Sequence, residues 1–527
     1  MIHKLITEFQ KIKFFHILKI YKNNLRYCRY GKNLELISKL PRMKIFKDNL
    51  FYSKVIGDDL IHILDSALYQ KLLTKNHNKI KYYAMLSTEK SNRYHIVSLP
   101  RIWRKFFENN NLKINFFSFI FFINEIIPSF IQGMKTVLYL SFLYKQNFHK
   151  DSTVLNGSWN ESFYQSNDLE NYFNWLKKRY KSEFYYIFPG NKQINKNISY
   201  VRYAFPSISF HYKKVSFILS AFFYSILSFV LMIFGKWQLL YLLEDIVLYQ
   251  YASRLEKGCL PSNIIFTIQN CVYKPLWTYA LEKHSVHIVV VFYGTNDSFY
   301  FLKDGTQVGP SPEYTDTIWK NYHVVNNMQK IRLEETLSLN PFFKKNNISI
   351  TVENNAIPFY DAHVDLSFLE ETRNIVFFPV TPFSDPLVAK LGYTDMLYTY
   401  EITESILLEL VSWGVKNKYS VILKNKNYPE EKINRRFVRL VNDLTRKKLI
   451  THILDADLSP NRLIAKCDAV ICQPFTTPGV FAQSQNKPVC YADPSSLLLK
   501  KQPASSGIEI VQGEGALSKW LDDNLVI

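Results

Sequence analysis

Six cysteines are spread over 527 residues, no two of them in a CxxC pair, and neither an HExxH segment nor a Walker-type phosphate loop occurs. These absences remove the common zinc and P-loop signatures and weigh against a metal-dependent reaction. Cys467, Cys472 and Cys490 lie on or beside apolar runs, so buried free thiols in a reducing compartment are expected. The N-terminus opens Met-Ile-His-Lys and carries lysines through its apolar stretch. It lacks the compact apolar core and small-residue cleavage site of a secretory leader. Acidic residues are in deficit, 45 against 65 Lys and Arg, for a net charge of +20. Such an excess suits an anionic membrane, nucleic acid or a phosphate-bearing substrate. A nucleic-acid surface would interleave basic residues with stacking aromatics, whereas the aromatics here fall mostly in apolar runs. No nucleic-acid partner is expected. Asn, Lys, Ile, Phe and Tyr are abundant together, as AT-rich coding sequence produces, so part of the positive excess carries no functional meaning.

A chain this long can build two or three domains with substantial cores. From residue 373 onward, short apolar runs alternate with amphipathic helical patterns. Strands are expected at 375–380, 420–423, 450–454, 466–472, 488–492 and 508–511. Helices are expected at 403–415, 430–447, 460–466, 480–486 and 516–521. That alternation predicts a parallel sheet with helices on both faces. Within it, Cys472-Gln-Pro-Phe-Thr-Thr-Pro-Gly479 stands at a strand-to-helix turn. Thr476 and Thr477 are placed to cap the helix and Pro478 suits its first position. A helix start at a strand's carboxyl end favours phosphate, although the same residues also simply start helices.

The order of several segments resembles the bacterial surface-polysaccharide biosynthesis proteins named for a PFTS motif. They are IQNCVYKPLWTYALE at 268–282, AIPFYD at 356–361, FFPVTPF at 377–383, ILKNK at 422–426, AKCDAVICQPFTTPG at 465–479, KPVCYADP at 487–494 and GIEIVQG at 507–513. The resemblance runs from about residue 264 to the end. It implies a GT-B-like α/β fold, two Rossmann-like domains facing across a cleft, and a glycosyltransferase distantly similar to bacterial polysialyltransferases. Three positions depart from the pattern. Thr477 stands for Ser, Pro379 for an acidic residue, and Asn425 for the proline of Lys-Pro-Lys.

The first half is less regular. Residues 1–60 interleave basic and bulky apolar residues, as a basic amphipathic segment on a membrane or an ordinary surface helix would. Residues 61–355 are read as an N-terminal α/β acceptor domain with helical insertions. Its strands are expected at 94–99, 184–188, 200–205, 264–268 and 286–292, with a helix at 275–283. An interdomain link at 356–372 and a C-terminal nucleotide-sugar domain at 373–527 complete the division. Hydrophobic helices are expected at 115–144 and 215–235. The second is free of charge and reaches the ~20 residues of a bilayer span. A lone crossing would put the two nucleotide-fold halves on opposite sides, so a re-entrant, surface-lying or core helix fits better.

Sugar transfer needs a stabilised leaving phosphate, a deprotonated acceptor hydroxyl and aligned sugars. Lys424, Lys426 and Thr381 follow predicted strands on the rim that also carries Pro474, Phe475, Thr476 and Thr477, and together they form the candidate donor site. Gln269 and Asn270 with Gly294, Thr295 and Asn296 form the candidate cleft loops, or are plain turn residues. Glu282 and His284 are weak candidates for the base. Glu244 and Asp245 read as a solvated helix face. Asp361, His363 and Asp365 share a strand face in the interdomain link, and Asp455 and Asp457 follow a strand as turn residues do. No metal and no cofactor are expected beyond the substrate, a CMP-, UDP- or GDP-linked sugar. The expected partners are a lipid-linked or growing O-antigen- or capsule-type glycan and the inner face of the bacterial inner membrane. The alternatives are an inert partner in a polysaccharide assembly complex and transfer of another group, such as glycerol phosphate.

Overall fold

The computed structural model describes residues 63–64, 67–68, 70–71, 126–149, 151–156, 169–188, 193–195, 198–233, 238–267, 273–292, 300–308, 318–338, 348–353, 366–369, 373–384, 396–425, 432–453, 458 and 460–525. Among the described residues, ten strands precede residue 353. They are β1 (Ser152–Asn156), β2 (Phe184–Phe188), β3 (Gln193–Asn195), β4 (Ile198–Tyr200), β5 (Asn263–Thr267), β6 (His287–Val291), β7 (Tyr300–Phe301), β8 (Gln307–Val308), β9 (Asn321–Val324) and β10 (Ser349–Val352). Six more follow: β11 (Asn374–Phe378), β12 (Ser420–Leu423), β13 (Thr451–His452), β14 (Ala469–Cys472), β15 (Val489–Asp493) and β16 (Glu509–Gln512).

Two parallel sheets with flanking helices result. The first runs β10-β9-β6-β5-β1-β2-β4-β3, antiparallel only at β3, and the second runs β13-β12-β11-β14-β15-β16. In chain order the second sheet reads third, second, first, fourth, fifth, sixth. The parallel strands β4, β2, β1, β5, β6 and β9 of the first sheet repeat that order. Both are therefore doubly wound, with the order reversing between β1 and β5 and between β11 and β14. The sequences of β11 (NIVFF) and β14 (AVIC) are apolar nearly throughout because both faces are covered, and every residue in them is buried.

Most strand expectations hold within a residue or two. Two differ more: 466–472, where the strand begins only at Ala469, and 200–205, where pairing ends at Tyr200 and residues 202–205 turn away through bends. The 94–99 strand and the 1–60 segment lie outside the described residues.

One apolar core joins the halves, running from Leu155, Ile265 and Val291 to Val376, Val470 and Phe481. The β7–β8 hairpin docks on the segment after β15. Lys303 N donates to Leu497 O (2.8 Å) and Leu499 N to Phe301 O (2.9 Å). Phe301 N donates to Gln502 Oε1 (2.8 Å). On the far side of the first sheet, helices Ile127–Leu138, His211–Ile233 and Leu243–Ala252 pack together over Leu276–Lys283. Gly133 permits that approach, because a Cβ there would stand 2.7 Å from a Leu243 side-chain carbon.

Of the pair expected to form a solvated face, Glu244 is part-exposed but Asp245 is not. Asp245 is buried, pairs with Lys71 Nζ at 2.6 Å and accepts from the Tyr273 hydroxyl. Glu244 accepts from Gln132 Nε2 at 3.1 Å. The helix carrying them is covered on most sides, so the buried Asp245 carboxylate finds internal partners.

Candidate donor-binding site at the second switch point

A reversal of strand order such as that between β11 and β14 is where ligands bind in open parallel sheets, at the carboxyl ends, and the PFTT turn begins two residues after β14. Gln473 follows β14 at this point. It is fully buried, accepts from Val380 N (2.6 Å) beyond β11, and donates to Thr403 Oγ1 (2.9 Å) on helix Tyr400–Asn417. One side-chain amide thus ties the end of β11 to that helix.

The turn itself is held by its carbonyls. Tyr398 Oη donates to Pro474 O (3.0 Å) and Tyr491 Oη to Thr476 O (3.2 Å). Burial raises the Tyr491 hydroxyl well above its usual range, so it remains a donor. Phe475 adopts φ +63°, the left-handed region that a bulky side chain avoids. Its ring is buried between Tyr300 (5.3 Å between centroids) and Tyr491 (5.6 Å). Phe475 therefore packs as a latch between the two halves and faces no open crevice. Gly479 is required by close approach, since a Cβ there would meet the Tyr491 ring at 2.9 Å.

Helix Thr477–Ser484 begins after Thr476, which has the extended backbone of an N-cap. Its hydroxyl does not cap the helix. It donates backward to Gln473 O (3.0 Å) and makes no cap hydrogen bond to the helix start. The expectation of side-chain capping is corrected here: the left-handed Phe475 folds the turn so that the Gln473 carbonyl is the nearer partner. A helix start without a side-chain cap retains its partial positive charge for another anion.

Neighbouring strand ends add a polar chain. Thr381 follows β11 and is buried; Asn425 follows β12 and donates through Nδ2 to Thr381 Oγ1 (3.4 Å). His452, the last residue of β13, shares a 2.7 Å hydrogen bond with Asn425 Oδ1. Lys424 stands beside them, nearly buried. Burial, and then the Lys424 charge, hold His452 below its usual pKa, so the ring is neutral near pH 7. It then donates through Nε2 to the Asn425 carbonyl oxygen. Asp493, ending β15, is spent on structure, accepting from Leu497 N (3.2 Å), Leu498 N (2.9 Å) and Gln512 Nε2 (3.0 Å).

The structure thus brings Thr381, Lys424, Pro474, Phe475, Thr476 and Thr477 to one edge of one sheet. Lys426, Gln269, Asn270, Gly294, Thr295 and Asn296 lie outside the described residues, as do Asp361, His363, Asp365, Asp455 and Asp457. Glu282 and His284 do not join the site. They end helix Leu276–Lys283, which returns toward the start of β6 at the opposite edge of the first sheet. Glu282 pairs there with the buried Lys274 (2.7 Å) and with Lys320 (3.5 Å). Sequence reasoning missed His452, Gln473 and Tyr491. Cys467, Cys472 and Cys490 are buried free thiols, as expected.

A family model described as polysaccharide biosynthesis PFTS motif protein matches residues 224–521, more than half of the chain. No curated protein matches significantly. Among solved structures, the wall teichoic acid polymerase TagF overlaps at 11% identity and TM-score 0.35, covering 69% of this chain and 78% of that one. HepE from Anabaena, solved in complex with UDP and glucose, overlaps at 11% identity and TM-score 0.33, covering 71% and 89%. Overlaps this loose say nothing of function.

Proposed function

The chain belongs to the polysaccharide biosynthesis PFTS motif family, and on that premise we propose that it is a GT-B-type glycosyltransferase. It takes a sugar from a nucleotide donor to a lipid-linked or growing surface glycan, of O-antigen or capsule type, at the inner face of the bacterial membrane. The observation that carries this reading is that a helix start left unbonded by its N-cap Thr476 side chain meets Lys424 and Thr381 at one strand-order reversal.

In this reading the donor phosphate sits at the start of helix Thr477–Ser484. Backbone N–H groups and the helix dipole stabilise it there without a metal. Lys424 neutralises charge as the bond between the sugar and the leaving phosphate breaks. Gln473, Tyr398 and Tyr491 hold the turn in place, so that stabilisation requires no rearrangement at the moment of transfer. The Thr381–Asn425–His452 chain presents polar groups to the remainder of the donor. The acceptor comes from the first sheet's side.

A thermal-shift panel of CMP, UMP, UDP and GDP tests the site. One nucleotide at about a hundred times its Kd should stabilise the protein by ~2.7 kcal/mol. Lys424→Met should lower turnover on the order of a hundredfold. No shift with any nucleotide, together with full turnover in a folded Lys424→Met variant, would refute the assignment.

A further inference from the structure

Among the described residues, fifteen of the twenty exposed large apolar side chains lie on two adjoining segments, 127–143 and 210–233. On helix His211–Ile233 the exposed residues Leu219, Phe222, Phe223, Ile226, Val230 and Ile233 fall in one stripe. The stripe is roughly 100° wide at 100° per residue. The opposite stripe, with Phe217, Ala221, Tyr224, Ser228 and Leu231, is buried. Helix Ile127–Leu138 lies alongside, with Phe130 and Phe229 5.7 Å apart between ring centroids. Ile127, Ile131, Leu138, Phe142 and Leu143 extend the exposed surface.

We infer that this two-helix surface inserts into one leaflet of an anionic bilayer and does not cross it. The helix is about 34 Å long at 1.5 Å per residue, enough for a span. Its buried stripe, however, is fastened to the soluble domain. Phe217 packs edge-on to Tyr251 at 4.9 Å, and Ser220 Oγ donates to Gln250 Oε1 (3.1 Å). Lys213 pairs with Glu256 at 3.0 Å. Crossing would strip these contacts and drag Leu243–Ala252, part of the main core, into lipid. Ser225 and Ser228 donate to carbonyls four residues back, so the buried stripe needs no further polar partner.

Two observations identify lipid as the occupant. From Val215 to Ile233 the exposed stripe carries no charged residue. A protein partner would meet a polar rim, while acyl chains require none. Basic residues flank the apolar surface instead: Lys214 at one helix start, beside the paired Lys213, Lys135 on the neighbouring helix and Lys145 just beyond. That arrangement complements anionic headgroups. Tyr212, in the first turn and on the same stripe, sets an amphipathic ring at the headgroup level. The inference deepens the membrane location proposed above but stands apart from the transfer reaction.

The test uses the full chain and vesicles of phosphatidylcholine with phosphatidylglycerol. Leu219→Glu with Ile226→Glu should weaken co-sedimentation on the order of a hundredfold. Leu408→Glu, an exposed apolar position on a helix of the second half, should leave it unchanged. High salt should release only part of the parent protein. An environment-sensitive dye on Ile226→Cys should shift to the blue only when vesicles are added, with brominated lipid quenching it. Lys424→Met should bind vesicles as the parent does, which separates this result from the fate of the donor site. Undiminished binding by the double glutamate variant would overturn the inference. So would a shielded dye before vesicles are added, which would show the chain's own residues on the surface. A soluble dimer that the glutamates convert to monomer would assign the surface to a second copy.

Discussion

Phe475 offers a test in which two side chains normally ranked one way should reverse. Its ring is buried between Tyr300 and Tyr491 while its backbone sits at φ +63°. Removing the ring by Phe475→Ala loses transfer energy and leaves a cavity, costing about 3–5 kcal/mol. Alanine keeps the unfavourable backbone, worth about 1–2 kcal/mol in the left-handed region. Phe475→Gly loses the same packing but releases that strain, offset by about 0.5–1 kcal/mol of extra chain entropy. The glycine variant should therefore be more stable than the alanine variant by roughly 0.5–1 kcal/mol, opposite to their order in ordinary helix or strand. A cycle with Tyr300→Ala should return a coupling of about 0.5–1.5 kcal/mol for the ring pair. Denaturant titration followed by tryptophan fluorescence measures all four. An alanine variant as stable as, or more stable than, the glycine one would remove the strained turn, and a coupling near zero would remove the latch between the halves.

Two further expectations concern ionisable side chains. Glu282→Gln should cost about 3–5 kcal/mol by leaving Lys274 buried without its carboxylate, with turnover per folded molecule preserved; a selective loss of turnover would return Glu282 to the chemistry. Lys274 is the side chain at stake, pushed down to about 8 by burial while Glu282 pulls the other way. His452 is depressed in the folded protein, so as pH falls through about 6.5 the unfolded chain takes up a proton that the folded one refuses. Stability from this group is complete above that pH and is lost as pH falls toward the folded pKa. His287, also depressed by burial, adds a slope of the same sign. His452→Gln should flatten the acid side of the stability profile, and an unchanged slope would show the ring to be solvated.

The alternation of strand and helix after residue 373 was legible in the sequence because it is local. A strand covered on both faces must be an apolar run, as β11 and β14 are, and a helix between sheet and solvent must keep its period. The PFTT turn was legible for the same reason, with Pro478 setting the helix start. The apolar stripe on His211–Ile233 was readable in its length and lack of charge. That its other side is fastened to Tyr251 and Gln250 was not. Strand order came only with the fold, and with it the placing of the PFTT turn beside Thr381 and Lys424 at a reversal. Glu282 illustrates the difference. Its spacing on a helix was plain, but which edge of the sheet it reaches depends on how that helix returns. Likewise nothing near Phe475 in the chain announces Tyr300, and nothing near Asn425 announces His452. Hydrophobic period is imposed residue by residue through burial, whereas polar partners and ring contacts join positions far apart in sequence, and only the packed sheets decide which of them meet.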